Sequence, residues 1–537
     1  MQMRSVMKHD FSKAPQANIP RSKFNRSFGH KTTFDAGYLI PVYLDEALPA
    51  DTFNVNASMF ARLNTPLYPI MDNLYLDTFF FAVPLRLLWD NFPKMMGEQT
   101  DPLDSTSFVV PQIVMPAGTG TTAQEVFDYF GVPIGVPSLS ISALFSRAYN
   151  LIYNEWFRDE NLIDSVTVDK DNGPDTYADY VLLKRCKRHD YFTSALPFAL
   201  KDPDSIITIP LGSTAPVILG TNITGADLSG QYANALGHVT PSGRLTTHAT
   251  YATAGSYPTS GSEHSLDVDL SNAVGGTIND LREAFQLQKM LEKDARGGSR
   301  YTEIIRSHFG VVSLDARLQR PEYLGGNTSP IKITPVPQTS STDTGTSSQT
   351  PQGTLAGFGT VATTGVGFTK SFTEHCIIMG IVNVRADLTY QQGLNRMFSR
   401  STRFDFYWPS LAHLGEQEVL QKEIYAVDPA TDTDADGTPD NEEAFGYQER
   451  WAEYRYKPSQ ISGKLRSTYA TSLDAWHLSQ EFGASPTLSQ TFIEEDPPLD
   501  RVVAAPSEPH FIYDSYFSVN CTRPMPTYSI PGLIDHF

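Results

Sequence analysis

Cysteine is scarce in this chain: 537 residues hold three, Cys186, Cys376 and Cys521, far apart and without a Cys-x-x-Cys spacing. An odd, scattered set excludes a disulfide framework, and only His375 beside Cys376 offers a neighbouring ligand, which excludes a zinc ribbon. The expectation is three buried thiols in a reducing compartment. Charge is also sparse, at 19% of residues, which disfavours long solvated helices. Residues 1–30 contain no continuous apolar run, and no uncharged stretch elsewhere is apolar enough to span a bilayer. No secretion signal or membrane span is therefore expected, and the chain reads as one made in a cytoplasm.

Catalytic signatures are missing as well. There is no phosphate-cradling Gly-x-x-x-x-Gly-Lys, no His-Glu-x-x-His and no Gly-x-Ser-x-Gly elbow. Acidic pairs such as Glu494-Glu495 and Glu442-Glu443 are adjacent in sequence, so on a strand they point to opposite faces and cannot flank one glycosidic bond. No enzyme is expected. No internal repeat of solenoid length is present.

What is abundant is turn-forming and aromatic. Gly and Pro number 37 each and aromatics reach 11%, a mix that favours many short strands joined by turns. Runs of β-branched and aromatic residues separated by Pro, Asp or Asn predict strands over residues 34–43, 52–63 and 74–83. The third is apolar on nearly both faces, so it should be covered on both sides. Near the other end, Phe511, Tyr513, Phe517, Val519 and Cys521 alternate with polar residues, interrupted at Tyr516, which predicts a half-buried strand.

Between the ends the period changes to three and four. A short helix is predicted after Pro84, a second over residues 140–157 and a third over 277–295, where Thr277 and Asp280 have capping-box spacing and Leu281, Ala284, Phe285 and Leu291 form a stripe. Residues 205–276 and 333–368 stand apart as low-charge stretches rich in Gly, Ser and Thr, which read as ordered loops packing against copies of themselves.

Net charge is −19, yet residues 1–31 carry Arg4, Lys8, Lys13, Arg21, Lys23, Arg26 and Lys31 against one acid, Asp10. A basic arm on an acidic body points to two surfaces meeting different partners, one a polyanion; a solvated tail is the alternative. A sharper motif runs from Asp432 to Glu443. Asp432, Asp434, Asp436, Asp440 and Glu443 stand at the oxygen-ligand positions of a calcium loop, with a backbone carbonyl from Thr438 and Gly437 for the turn. Pro439 and the lack of flanking amphipathic helices depart from the paired helix-loop-helix form. The readings are therefore an isolated calcium loop, with calcium as the one cofactor considered, or an exposed acidic turn.

Longer blocks carry a resemblance. Residues 147–158 (RAYNLIYNEWFR), 187–194 (KRHDYFTS), 294–298 (DARGG) and 315–326 (DARLQRPEYLGG) are similar to the major capsid proteins of microviruses of the gokushovirus branch. Residues 383–394 (NVRADLTYQQGL), 446–458 (GYQERWAEYRYKP) and 521–526 (CTRPMP) continue it. The resemblance implies a mainly β fold, an eight-stranded viral jelly roll with long inter-strand insertions containing short helices. It further implies a T=1 shell of on the order of sixty copies around circular single-stranded DNA, assembled in the host bacterial cytoplasm.

On that basis the chain divides into a basic arm over residues 1–30, a first jelly-roll part with helical insertion over 31–204, a surface insertion over 205–276 and the remainder over 277–537. The resemblance assigns the 205–276 insertion to protrusions at threefold axes that take part in attachment to a bacterial cell-surface receptor. Partners implied are other copies, packaged DNA, a small internal DNA-packaging protein, and other virion or scaffolding proteins.

A shell subunit needs polar and aromatic contact surface, and residues 403–409 (RFDFYWP) suit that demand, although ordinary core packing accounts for many aromatics. For DNA contact, two places qualify: Arg4, Lys8, Lys13, Arg21, Lys23 and Arg26 of the arm, and the cluster Lys184, Arg185, Lys187 and Arg188, followed by Tyr191 and Phe192 on which bases could stack. Salt bridges between subunits are the competing use of both. The rival to a shell subunit is a calcium-dependent β-rich binding module or hydrolase.

Overall fold

The computed structural model describes residues 20–101, 103–201, 217–219, 238–239, 245–246, 266–268, 278–312, 314–315, 319–343, 349–350, 352–429 and 440–528. The chain divides into two compact units, Met1–Ala199 with Asp294–Phe537, and Leu200–Lys293.

The first unit is built on one antiparallel sheet. Its strands are β1 (Ser22–Asn25, continuing as Phe28–Phe34), β2 (Ile40–Ala47), β3 (Thr52–Leu63), β4 (Leu74–Pro84), β5 (Glu322–Pro337), β6 (Leu355–Ser371), β7 (Cys376–Ala386) and β8 (Phe511–Arg523). Both pieces of β1 pair with β8, so the nine hydrogen-bonded segments reduce to eight strands, the first broken at Arg26-Ser27. The order across the sheet is β1-β8-β3-β6-β5-β4-β7-β2.

That order is a jelly roll. Strand β5 pairs with β4 through residues 322–331 and with β6 through residues 332–337, so it carries the sheet around a corner. Two four-stranded leaves result, β1-β8-β3-β6 and β5-β4-β7-β2. The far ends of the path meet through side chains: the ring of Tyr43 on β2 lies 5.8 Å from that of Phe28 on β1, and Arg26 pairs with Asp45 at 2.7 Å. One continuous core fills the space between the leaves, drawing Phe53 and Val55 from β3, Phe80 from β4, Val382 from β7 and Phe517 from β8. Burying such side chains contributes roughly 1.5–3 kcal/mol each before chain entropy is counted.

Strand periods follow from burial. In β3 inward Phe53, Val55, Ala57, Met59, Ala61 and Leu63 alternate with exposed residues, whereas every residue of β7 is buried. The second leaf is covered outside by the chain between β4 and β5. Helix α1 (Leu144–Trp156) lays Leu144, Ala148 and Ile152 against Phe81 and Val83 of β4 and Ile377, Met379 and Ile381 of β7. The expectation that residues 74–83 are covered on both sides is met here.

Several boundaries differ from the sequence reading. Residues 34–43 are not one strand: the chain turns at Gly37, whose φ is +87° and where a Cβ would run into the carbonyl of Glu495. Residues 140–142 form a strand paired with residues 112–114 before α1 begins. Residues 333–337 and 355–368 are strand rather than loop, because their Ile, Val, Phe and Thr residues extend β5 and β6. Tyr516 does not interrupt β8; it lies on the strand's outward face, like Ile512. The arm is shorter than its charge suggested, since residues 22–34 belong to the sheet.

In the second unit, residues 217–219 pair with 266–268 and residues 238–239 with 245–246; the rest of the 205–276 segment lies outside the described residues. Helix α2 (Ile278–Gly297) is present as predicted, but its stripe is not a buried one: Phe285 is 67% exposed.

Candidate nucleic-acid interface

Residues 183–187 run between the turn before β2 and residues 493–495. Arg185 N–H donates to the Gly37 carbonyl at 2.9 Å, Glu495 N–H to the Arg185 carbonyl at 2.7 Å, and Lys187 N–H to the Ile493 carbonyl at 2.7 Å. Stitching the backbone on both sides fixes where the four basic side chains go.

Three of them are engaged inside the subunit. Lys184 pairs with Asp496 at 3.0 Å and lies over the Tyr38 ring. Arg185 reaches Asp77 on β4, which also receives Arg385 of β7 at 2.9 Å. Burial alone would raise the Asp77 carboxyl, but a hydrogen bond from Thr328 and the two guanidiniums outweigh it and hold the carboxyl below its ordinary value. Lys187 is buried, donating to the Phe492 carbonyl and to Gln480 Oε1 at 3.0 Å, and burial pulls its ammonium below the usual lysine range. Only Arg188 of the four is exposed with no partner for its guanidinium among the described residues, and it lines a pocket of about 390 Å³ with Arg158, Glu160, Cys186 and Arg300.

The two rings following this cluster are not available to bases. Tyr191 and Phe192 are buried in a third apolar cluster with Val419, Ile424, Phe445 and Phe492, and Tyr191 Oη donates to Glu423 at 2.9 Å. The alternation of basic and aromatic residues that suggested stacking reflects a chain segment crossing from ion pairs into a core.

Of the arm, Arg4, Lys8 and Lys13 lie outside the described residues. Arg21 donates to the Ala50 carbonyl at 2.6 Å and to Thr52 Oγ1 at 2.9 Å, and Arg26 is held by Asp45. Lys23 is exposed on β1. Lys23 is thus the one arm cation with no partner among the described residues.

Asp432, Asp434, Asp436 and Thr438 of the calcium-loop motif lie outside the described residues as well. Its last ligand positions, Asp440 and Glu443, flank a single 3₁₀ turn, and Asn441 clasps Val427 by two hydrogen bonds, 3.1 Å to its N–H and 2.9 Å to its carbonyl. Residues 427 and 441 are therefore the tied ends of one loop. The three thiols are unpaired; Cys376 and Cys521 are buried and Cys186 partly so, and burial pushes Cys186 and Cys376 up to about 12.

Sequence reasoning did not find the buried ionic clusters. Besides Asp77 with Arg185 and Arg385, the Arg147 side chain of α1 is fully buried, donating from Nε to Asp175 at 2.8 Å and from Nη1 to the Leu88 carbonyl at 3.0 Å. Glu160, Arg300 and Glu303 form another such group. Such partners come together only through the tertiary fold, so no local spacing announces them.

Comparison with known proteins bears directly on this arrangement. The profile of the family described as "Capsid protein (F protein)" matches residues 12–533. The chain is 47% identical over 543 residues to capsid protein VP1 of Bdellovibrio phage phiMH2K, 43% over 591 residues to that of Chlamydia phage 1 and 37% over 558 residues to that of Spiroplasma virus 4. Each alignment covers 98% of this chain and 97% or 98% of the relative. With a jelly-roll sheet closed by side chains, basic residues tied into ion pairs and likeness running nearly end to end, the chain belongs to the capsid protein (F protein) family of microviruses, a structural protein of the virion rather than an enzyme.

Proposed function

We propose that on the order of sixty copies of this subunit close into a T=1 shell around a circular single-stranded DNA genome, assembling in the cytoplasm of the host bacterium. The observation that carries the reading is a jelly-roll subunit joined to nearly full-length likeness to phage capsid proteins. Closed point-group assembly suits a chain that presents several separate contact surfaces. Residues 205–276 form an outward insertion that takes part in attachment to a bacterial surface receptor.

Packaged DNA meets Arg4, Lys8, Lys13 and Lys23, with a small internal DNA-packaging protein as the arm's other partner. Of the second cluster, Arg188 is the side chain left for a phosphate, since Lys184, Arg185 and Lys187 are engaged within the subunit. The residue 432–443 loop takes calcium as an optional ligand, with Asp432, Asp434, Asp436, Asp440 and Glu443 as its carboxylates and Thr438 as its carbonyl.

Electron microscopy and nuclease protection test the assembly. Expressed with its genome, the chain should give closed particles holding nuclease-resistant single-stranded DNA, and a permanently monomeric protein in every salt condition defeats the reading. Deleting residues 2–19, which stops short of β1, should leave the sheet intact and lower the share of filled particles. Unchanged filling removes the arm's role.

A further inference from the structure

Among the described residues the exposed large aromatic side chains are unevenly spread. Phe398, Phe404, Phe406, Tyr407 and Trp408 leave between 41% and 70% of their surface open, all within the insertion between β7 and β8. Tyr454 and Tyr456 are half open too.

The two stretches form one patch. Tyr407 meets Trp451 edge-on at 5.2 Å, Arg450 reaches the Phe404 carbonyl at 3.5 Å, and the Arg400 guanidinium lies 5.5 Å from the Phe406 ring and 4.2 Å from the Tyr454 ring. The loop is braced. Asp405 accepts the N–H groups of Ser401 at 2.8 Å and Thr402 at 2.7 Å, and Trp408 Nε1 donates to the Arg403 carbonyl at 2.9 Å.

Rings held open to water forgo the free energy of burial, so a patch built to keep them outward is fitted for a partner. Phe, Tyr and Trp mixed with Arg is the composition of the buried centre of a protein interface, where few hot-spot side chains dominate. Charge narrows the choice of partner. Arg400 is paired with Glu453, but Arg403 and Arg450 have no carboxylate among the described residues. The same chain carries the complement: residues 164–179 hold Asp164, Asp169, Asp171, Asp175 and Asp179 against Lys170 alone. Asp175 and Asp171 are both engaged by Arg147, while Asp164, Asp169 and Asp179 have no ion pair among the described residues; burial, with the charges of Asp175 and Asp171 adding to it, pushes the Asp169 carboxyl up, so a cation brought there is welcome.

We infer that the aromatic and arginine patch of residues 398–408 with Tyr454 and Tyr456 docks onto the acidic stretch 164–179 of a second copy of this chain. The inference rests on the shell reading and names one of its contacts. The contact is heterologous, joining two different surfaces, the kind that closes rings when the rotation between copies closes. Arg403 and Arg450 steer and register the approach, and the rings supply the dry centre.

Three measurements on the full-length chain test it. Phe404→Ser with Trp408→Ser should keep the thermal unfolding of the soluble subunit while lowering particle yield about tenfold or more. Arg403→Glu with Arg450→Glu should lower yield similarly, and adding Asp164→Lys with Asp169→Lys should restore most of it. In wild-type-like particles of Arg403→Lys, a carbodiimide should join the new amine to a carboxylate of residues 164–179 on another copy, read by mass spectrometry of isotope-mixed particles. Full yield from the ring variant, no recovery in the charge swap, or a cross-link map lacking that pair overturns the inference. Failure of the wild-type chain to form particles overturns the shell reading instead.

Discussion

Strands β3 and β7 have nearly the same length, 12 and 11 residues, in one sheet, yet β3 shows a mainly polar face to solvent, with Phe60 the one large apolar residue on it, and β7 has no exposed residue. Strand chemistry follows the cover and not the sheet. Outside β7 the chain between β4 and β5 brings α1 and its aromatic neighbours, so Ile377, Met379 and Ile381 are as apolar as the inward Ile378, Val382 and Val384. Among the described residues nothing of this kind lies outside β3, and Asn54, Asn56 and Ser58 take those positions. One leaf of the jelly roll is a core layer, the other a surface. A subunit whose neighbours arrive only on assembly can thus be soluble on one leaf and well anchored on the other.

The largest expected break in this contrast is Asp77→Ala. The carboxylate sits on the covered face of β4 between the Arg185 and Arg385 guanidiniums, and its removal leaves two desolvated cations facing each other. A loss of about 3–5 kcal/mol is expected in denaturant unfolding of the soluble subunit. Next comes Met379→Ala, which opens a cavity between β7 and its cover; about 2–5 kcal/mol is expected by the same measurement, and a cost below 1 kcal/mol would mean the cover collapses onto the sheet freely.

Much of this contrast was legible in the sequence. The run Leu74 to Phe81 announced two covered faces, and the alternation from Phe511 to Cys521 announced one, because period-two burial is written directly into residue type. What stayed hidden depends on contacts far apart in the chain. Nothing near Gly37 reveals that residue 495 passes against it, and nothing near residues 184–188 reveals Asp77 or Asp496. A basic run reads the same whether it meets phosphate or carboxylate, and three of its four cations turned inward. Tyr191 and Phe192 were misread for the same reason. The resemblance to capsid proteins supplied the eight-stranded jelly roll, which composition alone could not.

The cover also carries a pH dependence that centres on a carboxyl. Glu160, just beyond α1, is desolvated and shares a hydrogen bond with Glu303, and these outweigh Arg300 to hold its carboxyl at about 7, against an ordinary 4.5. A carboxyl raised in the fold binds its proton more tightly there than in the unfolded chain. Its contribution is therefore complete below about pH 4.5 and is lost as pH rises through about 7. The melting temperature should fall between pH 5 and pH 8, and Glu160→Gln should flatten that part of the profile. A profile unchanged by the substitution assigns the drift to other groups.

The smallest expected effect is on the open leaf. Asn56 and Ser58 point outward from β3, their side chains make no hydrogen bond within the described residues, and replacing both by Ala removes no packing and strands no buried polar atom. The double change should shift subunit stability by no more than about 0.5 kcal/mol. The same change gives the contrast its sharpest form. If stability of the free subunit holds while assembled particles become easier to dissociate by denaturant, the open leaf is a contact surface filled on assembly; if both hold, this part of the leaf faces solvent in the particle. A loss of more than 1 kcal/mol in the free subunit would mean that something already covers β3, and the distinction between the two leaves would fail.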